Sequence, residues 1–215
     1  MSAGGTVRGA GMAEPDAAGM ADAGAVGAAA LLRPGLLQGV SLLLAGPTAP
    51  LGGAVAEVFA ELGARVSSCL PDGEDEAAID QAVAGVGDID MLVVDGAGLF
   101  GDGAGTALRA CLDGAWNVTR AVINQAFLPT EHSGRIVYLA PAPDAGEQAM
   151  AARAALENLA RTLSVEWARH DINVVTIAPG CATSGAELAA LVAYLASPAG
   201  TYFSGCLLDL DTLAR

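Results

Sequence analysis

From residue 40 onwards, short continuous apolar runs alternate with longer stretches in which apolar residues recur every three or four positions. The short runs are typical of strands buried on both faces, and the longer stretches are typical of amphipathic helices. The predicted strands cover residues 40–46, 64–69, 90–98, 134–140, 172–180 and 205–211. The predicted helices cover residues 51–63, 76–86, 105–127, 147–169 and 184–197. This alternation predicts a single α/β domain with a doubly wound, mostly parallel sheet.

The start of the chain lacks this alternation. Residues 1–34 are rich in Ala and Gly and show no sustained period, which is typical of a flexible arm. Met12 and Met20 lie within this stretch as alternative start sites. We therefore expect a flexible arm over residues 1–34 and a folded domain over residues 35–215. The last predicted helix opens with Ser184 and Glu187, which are spaced as a capping box.

The chain is strongly acidic, with 24 Asp and Glu against 10 Lys and Arg and a formal net charge of −14. Such a charge repels nucleic acids and anionic membrane surfaces, so neither is expected as a partner. No apolar run approaches the roughly 18 residues that span a bilayer. The apolar run at 23–32 follows acidic residues and lacks the basic start of a signal peptide, so a cytoplasmic location is expected.

Four cysteines stand far apart, and none forms a C-x-x-C pair or has a histidine at ligand spacing. They are Cys69, Cys111, Cys181 and Cys206. This spacing argues against a zinc site and against a disulfide scaffold. We expect no bound metal, and we expect the cysteines to behave as small buried apolar residues.

Three stretches are the most specific part of the sequence. They read GRIVYLA at 134–140, RAALENLARTLSVEWARHDINVVTIAPG at 153–180 and LVAYLASPAGTYFSGCLLDLD at 191–211. In this order, the elements resemble the short-chain dehydrogenase/reductase family over residues 37–211. The resemblance implies a Rossmann-like fold and hydride transfer to or from NAD or NADP, carried out with an Asn-Ser-Tyr-Lys tetrad.

The positions that match this tetrad hold other residue types. Aligned by their flanking residues, the Asn, Ser, Tyr and Lys positions are occupied by Cys111, Pro141, Ala149 and Arg153. Ala149 carries no proton to exchange, and Arg153 stays charged near neutral pH and can at most bind an anion. The resemblance therefore implies the fold without the family's catalytic residues.

Other side chains near the same edge are candidate substitutes. Tyr138 is expected to pack in the core, whereas His132, Asp144 and Glu147 are candidate acids or bases in loops. Cys181 is a candidate nucleophile, although no histidine is close to it in sequence. None of these residues matches a position of the family's tetrad.

The turn after the first strand matches the family's cofactor motif T-G-x-x-x-G-x-G only in part. Gly46, Thr48 and Gly52 are the candidate cofactor-binding residues of a vestigial site. Pro50 stands in place of the middle glycine, and Pro47 also lies in the turn. Each proline removes an N–H donor and fixes φ, which weakens a turn that would receive a diphosphate.

The adenosine side of the expected site also departs from the family. Cys69 or Leu70 stands where members that use NAD carry an acidic residue, with Asp72 as a possible replacement. Residues 70–90 leave room for one helix, so the family's third strand is expected to be lost. The sheet is then ordered 2-1-4-5-6-7 in the family's labels. The carboxylate of Asp95 would either face a phosphate group, whose negative charge it would repel, or cap a helix.

Three stretches that form subunit contacts in the family remain recognisable, namely 105–127, 147–169 and 184–211. In the predicted helix 147–169, the apolar positions expected to face the sheet are Leu156, Leu159, Ala160, Leu163 and Trp167. The positions expected to meet another subunit are Met150, Ala152 and Ala155. An oligomer is therefore expected, either of this chain alone or with a catalytic member of the family.

These observations lead to three hypotheses. The first is a non-catalytic structural or regulatory subunit that binds no cofactor. The second is an NAD(P)-dependent oxidoreductase with an atypical active site. The third is a small-molecule sensor in which Arg153 binds an anion, so that Arg153→Ala abolishes binding and leaves the fold intact.

Overall fold

The computed structural model describes residues 1, 32–47, 50–69, 75–130 and 133–211. The strands are β1 (Ser41–Ala45), β2 (Arg65–Cys69), β3 (Met91–Asp95), β4 (Arg135–Leu139), β5 (Asn173–Ala178) and β6 (Leu207–Asp209). The helices are α1 (Pro50–Glu61), α2 (Glu76–Ala84), α3 (Gly96–Phe100), α4 (Ala107–Val122), α5 (Leu128–Thr130), α6 (Ala149–Glu166) and α7 (Gly185–Ala196). The predicted arm falls almost entirely on residues 2–31, outside the described part, and Leu32 already packs against the core.

The strands form one parallel sheet in the order β2-β1-β3-β4-β5-β6. This order confirms the predicted α/β fold. Between β2 and β3, the described residues contain only helix α2, and β1 pairs directly with both strands. The sheet therefore has six described strands, as expected for a chain that lacks the family's third strand.

Helices cover both faces of the sheet, which explains why its central strands are continuous apolar runs. Leu43 faces the layer formed by α2, α4 and α6, whereas Leu42 and Leu44 face the layer formed by α1 and α7. All five residues of β1 and of β3 are buried. The alternation of side chains along each strand thus divides the core into two layers.

Every predicted element differs from the structure by at least one residue at an end, and three of them run into a different kind of helix or turn. The strand predicted over 90–98 stops at Asp95, because the next residues turn into the short helix α3. The helix predicted over 105–127 changes to a π-helix at Ile123–Phe127 and continues as α5. The helix predicted over 147–169 ends at Glu166 and is followed by a 3-10 turn at Ala168–His170.

Helix α6 buries more of its surface than predicted. Leu156, Ala160 and Leu163 are buried against the sheet as expected. Ala152 is also fully buried within this chain, so its assignment to a subunit contact was wrong. Of the other two residues expected to meet another subunit, Met150 is exposed and Ala155 is half-buried.

Helix α7 begins with the predicted capping box. The Glu187 N–H donates to Ser184 Oγ at 3.2 Å, and the Ser184 N–H donates to Glu187 Oε2 at 2.9 Å. This reciprocal pair confirms the boundary read from the sequence. Within the described part of the chain, no helix is both long and apolar enough to cross a membrane.

Candidate active site at the carboxyl edge of the sheet

The four positions that match the family's tetrad lie together at the carboxyl edge of the sheet. Cys111 is on α4, Pro141 follows β4, and Ala149 and Arg153 are one turn apart on α6. All four are buried, and the Arg153 Nη1 lies 2.9 Å from the Pro141 carbonyl oxygen. The four positions are therefore neighbours in the fold, and their side chains decide what chemistry they can support.

Arg153 is bonded to the protein itself. Its Nη1 donates to the carbonyl oxygens of Pro141 at 2.9 Å and Pro179 at 2.7 Å, and its Nη2 lies 3.4 Å from Asp209 Oδ1. The guanidinium thus joins the loops after β4 and β5 to strand β6. This geometry argues against the anion clamp of the sensor hypothesis, and against the expectation that Arg153→Ala leaves the fold intact.

Cys111 is a buried thiol without an activating partner. Its Sγ donates to the Gly96 carbonyl oxygen at 3.3 Å. Burial, and then the negative charge of Asp95, raise the pKa of Cys111 to about 12. The thiol is therefore protonated at neutral pH, where it can act neither as a base nor as a thiolate nucleophile.

Asp95 ends β3 with a fully buried side chain. Its Oδ1 accepts a hydrogen bond from the Gly98 N–H at 2.9 Å, so it is the N-cap of α3. Of the two roles considered from the sequence, the structure confirms the helix cap. A Cβ built on Gly52 would lie 2.6 Å from Asp95 Oδ2, so the carboxylate also lies against the first turn of α1.

The glycine turn packs directly onto the β3–α3 turn. Gly46 adopts a φ of 114° and donates its N–H to the Cys69 carbonyl oxygen. A side chain at Gly98 would collide with the Pro47 carbonyl oxygen. Pro50 is the first residue of α1, where proline is well tolerated. The third candidate of the vestigial cofactor site, Thr48, lies outside the described residues.

A small cavity lies beside this turn. A cavity of about 20 Å³ is lined by Ala45, Gly46, Cys69, Ile79, Leu99, Gly114 and Val118. Ligand sites in proteins usually enclose about 300–1,000 Å³. This cavity is too small for either half of a dinucleotide.

Larger cavities lie at the opposite edge of the sheet. One of about 440 Å³ opens at the amino ends of β3, β4 and β5, and one of about 360 Å³ adjoins it through Gly39 and Asp90. They are remote from the tetrad positions, because the amino and carboxyl ends of parallel strands lie at opposite edges. They do not belong to the crevice expected from the fold.

The described candidate substitutes differ in their burial. Tyr138 is fully buried, its hydroxyl lies 3.0 Å from Thr119 Oγ1, and burial raises its pKa well above the ordinary value. This confirms its predicted place in the core. Asp144 and Glu147 are exposed, and His132 lies outside the described residues.

The cysteines separate into two groups. Cys69 and Cys111 are buried as predicted, whereas Cys181 is exposed and Cys206 is half-buried, so the prediction was wrong for Cys181. Desolvation and the nearby carboxylate of Asp144 raise the pKa of the Cys181 thiol, which opposes its use as a nucleophile. Within the described ranges, no three His, Cys, Asp or Glu side chains are grouped to hold a metal ion.

The chain is similar in sequence to proteins named as reductases and oxidoreductases. The peroxisomal 2,4-dienoyl-CoA reductase of Rattus norvegicus is 29% identical over 252 residues, which covers 84% of this chain and 85% of the relative. Oxidoreductase UcpA of Salmonella typhimurium is 31% identical over 187 residues, which covers 68% of this chain and 70% of the relative. Since the first alignment is longer than this chain, it contains gaps.

The fold is similar to that of solved dehydrogenases. The citronellol catabolism dehydrogenase (AtuB) of Pseudomonas aeruginosa PAO1 has a TM-score of 0.71 and 25% identity, covering 86% of this chain and 99% of that one. A hydroxysteroid dehydrogenase from Escherichia coli has a TM-score of 0.68, with 82% and 97% covered, and at 19% identity it supports the fold alone. Because residues 37–190 also match the family described as short chain dehydrogenase, this chain belongs to the short-chain dehydrogenase family.

Proposed function

We propose that this member of the short-chain dehydrogenase family is a non-catalytic subunit with a structural or regulatory role. The observation that carries the proposal is Arg153, which occupies the family's Lys position and donates to the carbonyl oxygens of Pro141 and Pro179. One turn away, Ala149 offers no group that could transfer a proton. Hydride transfer to a carbonyl needs a proton donor beside the reacting oxygen, and these residues supply none.

The distribution of charge supports a role in assembly. Apart from the buried Arg153, helices α4 and α6 together carry three arginines and three carboxylates, whereas the whole chain carries 10 basic and 24 acidic residues. Their surface is thus nearly neutral on an acidic protein and avoids the like-charge repulsion that opposes association elsewhere. Trp116 on α4 and Val165 on α6 add exposed apolar side chains. We propose this α4–α6 surface as the contact with a second copy or with a catalytic member of the family.

The assembly can be tested with two aromatic residues on different surfaces. Trp116→Glu alters the α4–α6 surface, and Tyr202→Glu alters the segment 184–211 at a side chain that is 92% exposed. Sedimentation of the purified chain, alone and with a catalytic member from the same organism, should reveal a complex that only Trp116→Glu breaks. A complex broken only by Tyr202→Glu would move the contact to 184–211. A monomer that binds neither partner would overturn the proposal.

An NAD(P)-dependent oxidoreductase with an atypical active site is the second candidate. The names of the relatives support it, and on sequence similarity it is better supported than the non-catalytic role. The geometry at Ala149 and Arg153 supports the non-catalytic role instead. Oxidation of NADH or NADPH in the presence of enoyl-CoA, ketone and aldehyde substrates separates the two, since turnover by the purified chain would establish the oxidoreductase.

A further inference from the structure

The cavity of about 360 Å³ at the amino edge of the sheet is lined by two residues of opposite charge. Arg65 begins β2, and Asp88 lies in the loop between α2 and β3. Both residues are exposed, so the cavity is open to a small molecule from solution. Its volume falls within the range of about 300–1,000 Å³ that is usual for ligand sites.

Ser41 holds the Arg65 guanidinium beside this cavity. Arg65 Nη2 donates to Ser41 Oγ at 2.7 Å, and the Ser41 N–H donates to Asp90 Oδ2 at 2.7 Å. Ser41 is buried, so it gives the guanidinium a fixed point of attachment. Within the described part of the chain, neither Arg65 nor Asp88 forms an ion pair. Both charges therefore remain available to a ligand.

The adjoining cavity of about 440 Å³ differs in this respect. Its guanidinium belongs to Arg135, which donates to the Ala196 carbonyl oxygen and, at 3.0 Å, to Thr201 Oγ1. These bonds join the start of β4 to the end of α7. The cavity that contains Arg65 is therefore the better candidate for a ligand.

We propose that this cavity binds a small zwitterion of the amino-acid class, with its carboxylate on Arg65 and its ammonium group on Asp88. The planar guanidinium presents paired N–H donors that match a carboxylate. A zwitterion has no net charge, so the −14 charge of the chain does not repel it as it repels a simple anion. The site lies at the opposite edge of the sheet from Ala149 and Arg153, so this inference goes beyond the non-catalytic function and does not depend on it.

The probes separate a zwitterion from molecules that carry only one of its charges. L-Alanine, β-alanine and γ-aminobutyrate hold the two charges at increasing separation, whereas butyrate and butylamine carry one charge each. In an NMR titration of the whole chain, we expect one of the three zwitterions to bind with a dissociation constant on the order of 1 mM, because exposed ion pairs are individually weak. Butyrate and butylamine should bind at least about tenfold more weakly, since each forms only one of the two ion pairs.

Two variants remove the charges of the cavity one at a time. Arg65→Gln and Asp88→Asn should each weaken the binding of that zwitterion at least about fivefold. Arg161→Gln and Glu57→Gln are the matched controls, because they remove the same charges from exposed residues outside the cavity. Both controls should bind the zwitterion as the wild type does. Urea denaturation of each variant checks that it folds.

The proposal would be overturned if no zwitterion bound at concentrations up to about 20 mM, or if butyrate or butylamine bound as tightly. It would also be overturned if Asp88→Asn bound as the wild type does, or if the controls lost as much binding as the two cavity variants. Asp88 is exposed, so Asp88→Asn decides the test if Arg65→Gln fails to fold. Hydride transfer by the chain would remove the non-catalytic function and leave this site unaffected.

Discussion

Arg153 on α6 and Asp209 on the edge strand β6 form an ion pair, with Nη2 and Oδ1 3.4 Å apart. The same guanidinium donates to the carbonyl oxygens of Pro141 and Pro179 in two further loops. Because Arg153 is almost fully buried, these bonds replace the water that its donors and the two carbonyl groups would otherwise bind. Arg153 thus links the loops after β4 and β5 to strand β6 at the carboxyl edge of the sheet.

The first prediction concerns the loss of this guanidinium. Arg153→Met keeps most of the apolar stem and removes every donor, leaving the Pro141 and Pro179 carbonyl groups without a partner. We expect the free energy of unfolding to fall by about 3 kcal/mol. Urea denaturation measures this change. Arg161→Met is the control, because Arg161 is exposed and forms an ion pair with Glu157 on its own helix, and it should cost about 0.5 kcal/mol or less. Equal losses in the two variants would contradict a structural role for Arg153.

Much of the fold could be predicted because the local pattern and the tertiary structure agree. The runs that became β1 and β3 are apolar apart from Ser41 and Asp95 at their ends and are buried on both faces, which is why they could be identified as strands. The Ser184–Glu187 pair marked the start of α7 for a local reason, since both hydrogen bonds lie within one turn. The length of the segment between β2 and β3 also predicted a single helix there, and its described residues contain only α2.

The sequence predicted which positions belong to the site, but it did not predict the contacts that their side chains make. The spacing of Ala149 and Arg153 by four residues placed both on one turn of α6, as the structure has them. The partner of Arg153 could not be read, because Asp209 is 56 residues further along the chain. Helix α3 was missed for a similar reason. The Gly-Ala-Gly sequence at residues 96–98 has low helix propensity, and the cap from Asp95 stabilises the turn.

The second prediction concerns the buried hydroxyl pair of Tyr138 and Thr119, whose oxygens are 3.0 Å apart. Tyr138→Phe leaves the Thr119 hydroxyl buried without this partner, and we expect a loss of about 1–2 kcal/mol in the free energy of unfolding. Thr119→Val should cost a similar amount. The double variant should cost less than the sum of the two, since it leaves neither hydroxyl unpaired. Strictly additive losses in denaturation experiments would show that the two hydroxyl groups do not interact.

The third prediction concerns pH. Burial, followed by the charge of Asp95, raises the pKa of the Cys111 thiol from 9.0 to about 12 in the folded protein. The neutral thiol is thus favoured by folding, and its contribution to stability is fully present below pH 9 and is lost between pH 9 and 12. Above pH 9, the unfolded chain loses this proton while the folded chain keeps it. Stability should therefore fall about 1.4 kcal/mol per pH unit more steeply in the wild type than in Cys111→Ala.

Urea denaturation between pH 8 and pH 10.5 measures that difference in slope. The cavity left by Cys111→Ala lowers stability at every pH and does not affect the slope. Val118→Ala is the control, because it truncates a buried side chain on the same helix without removing an ionisable group, and its stability should run parallel to that of the wild type. Parallel curves for the wild type and Cys111→Ala above pH 9 would mean that the Cys111 thiol ionises as readily in the folded chain as in the unfolded one.

The last prediction concerns the contact between α1 and Asp95. A methyl group at Gly52 would lie 2.6 Å from Asp95 Oδ2 and 3.2 Å from its carboxyl carbon, closer than van der Waals contact permits. Asp95 is buried and its Oδ1 is fixed by the Gly98 N–H, so it cannot move aside without losing the cap of α3. Gly52→Ala should therefore lower the free energy of unfolding by about 2 kcal/mol or more, although alanine favours helix elsewhere.

Gly105→Ala is the matched control, because nothing lies within 4 Å of its added methyl group. It should change stability by about 0.5 kcal/mol or less. If thermal or urea unfolding gave the two variants the same stability, the packing of Asp95 against the first turn of α1 would be wrong.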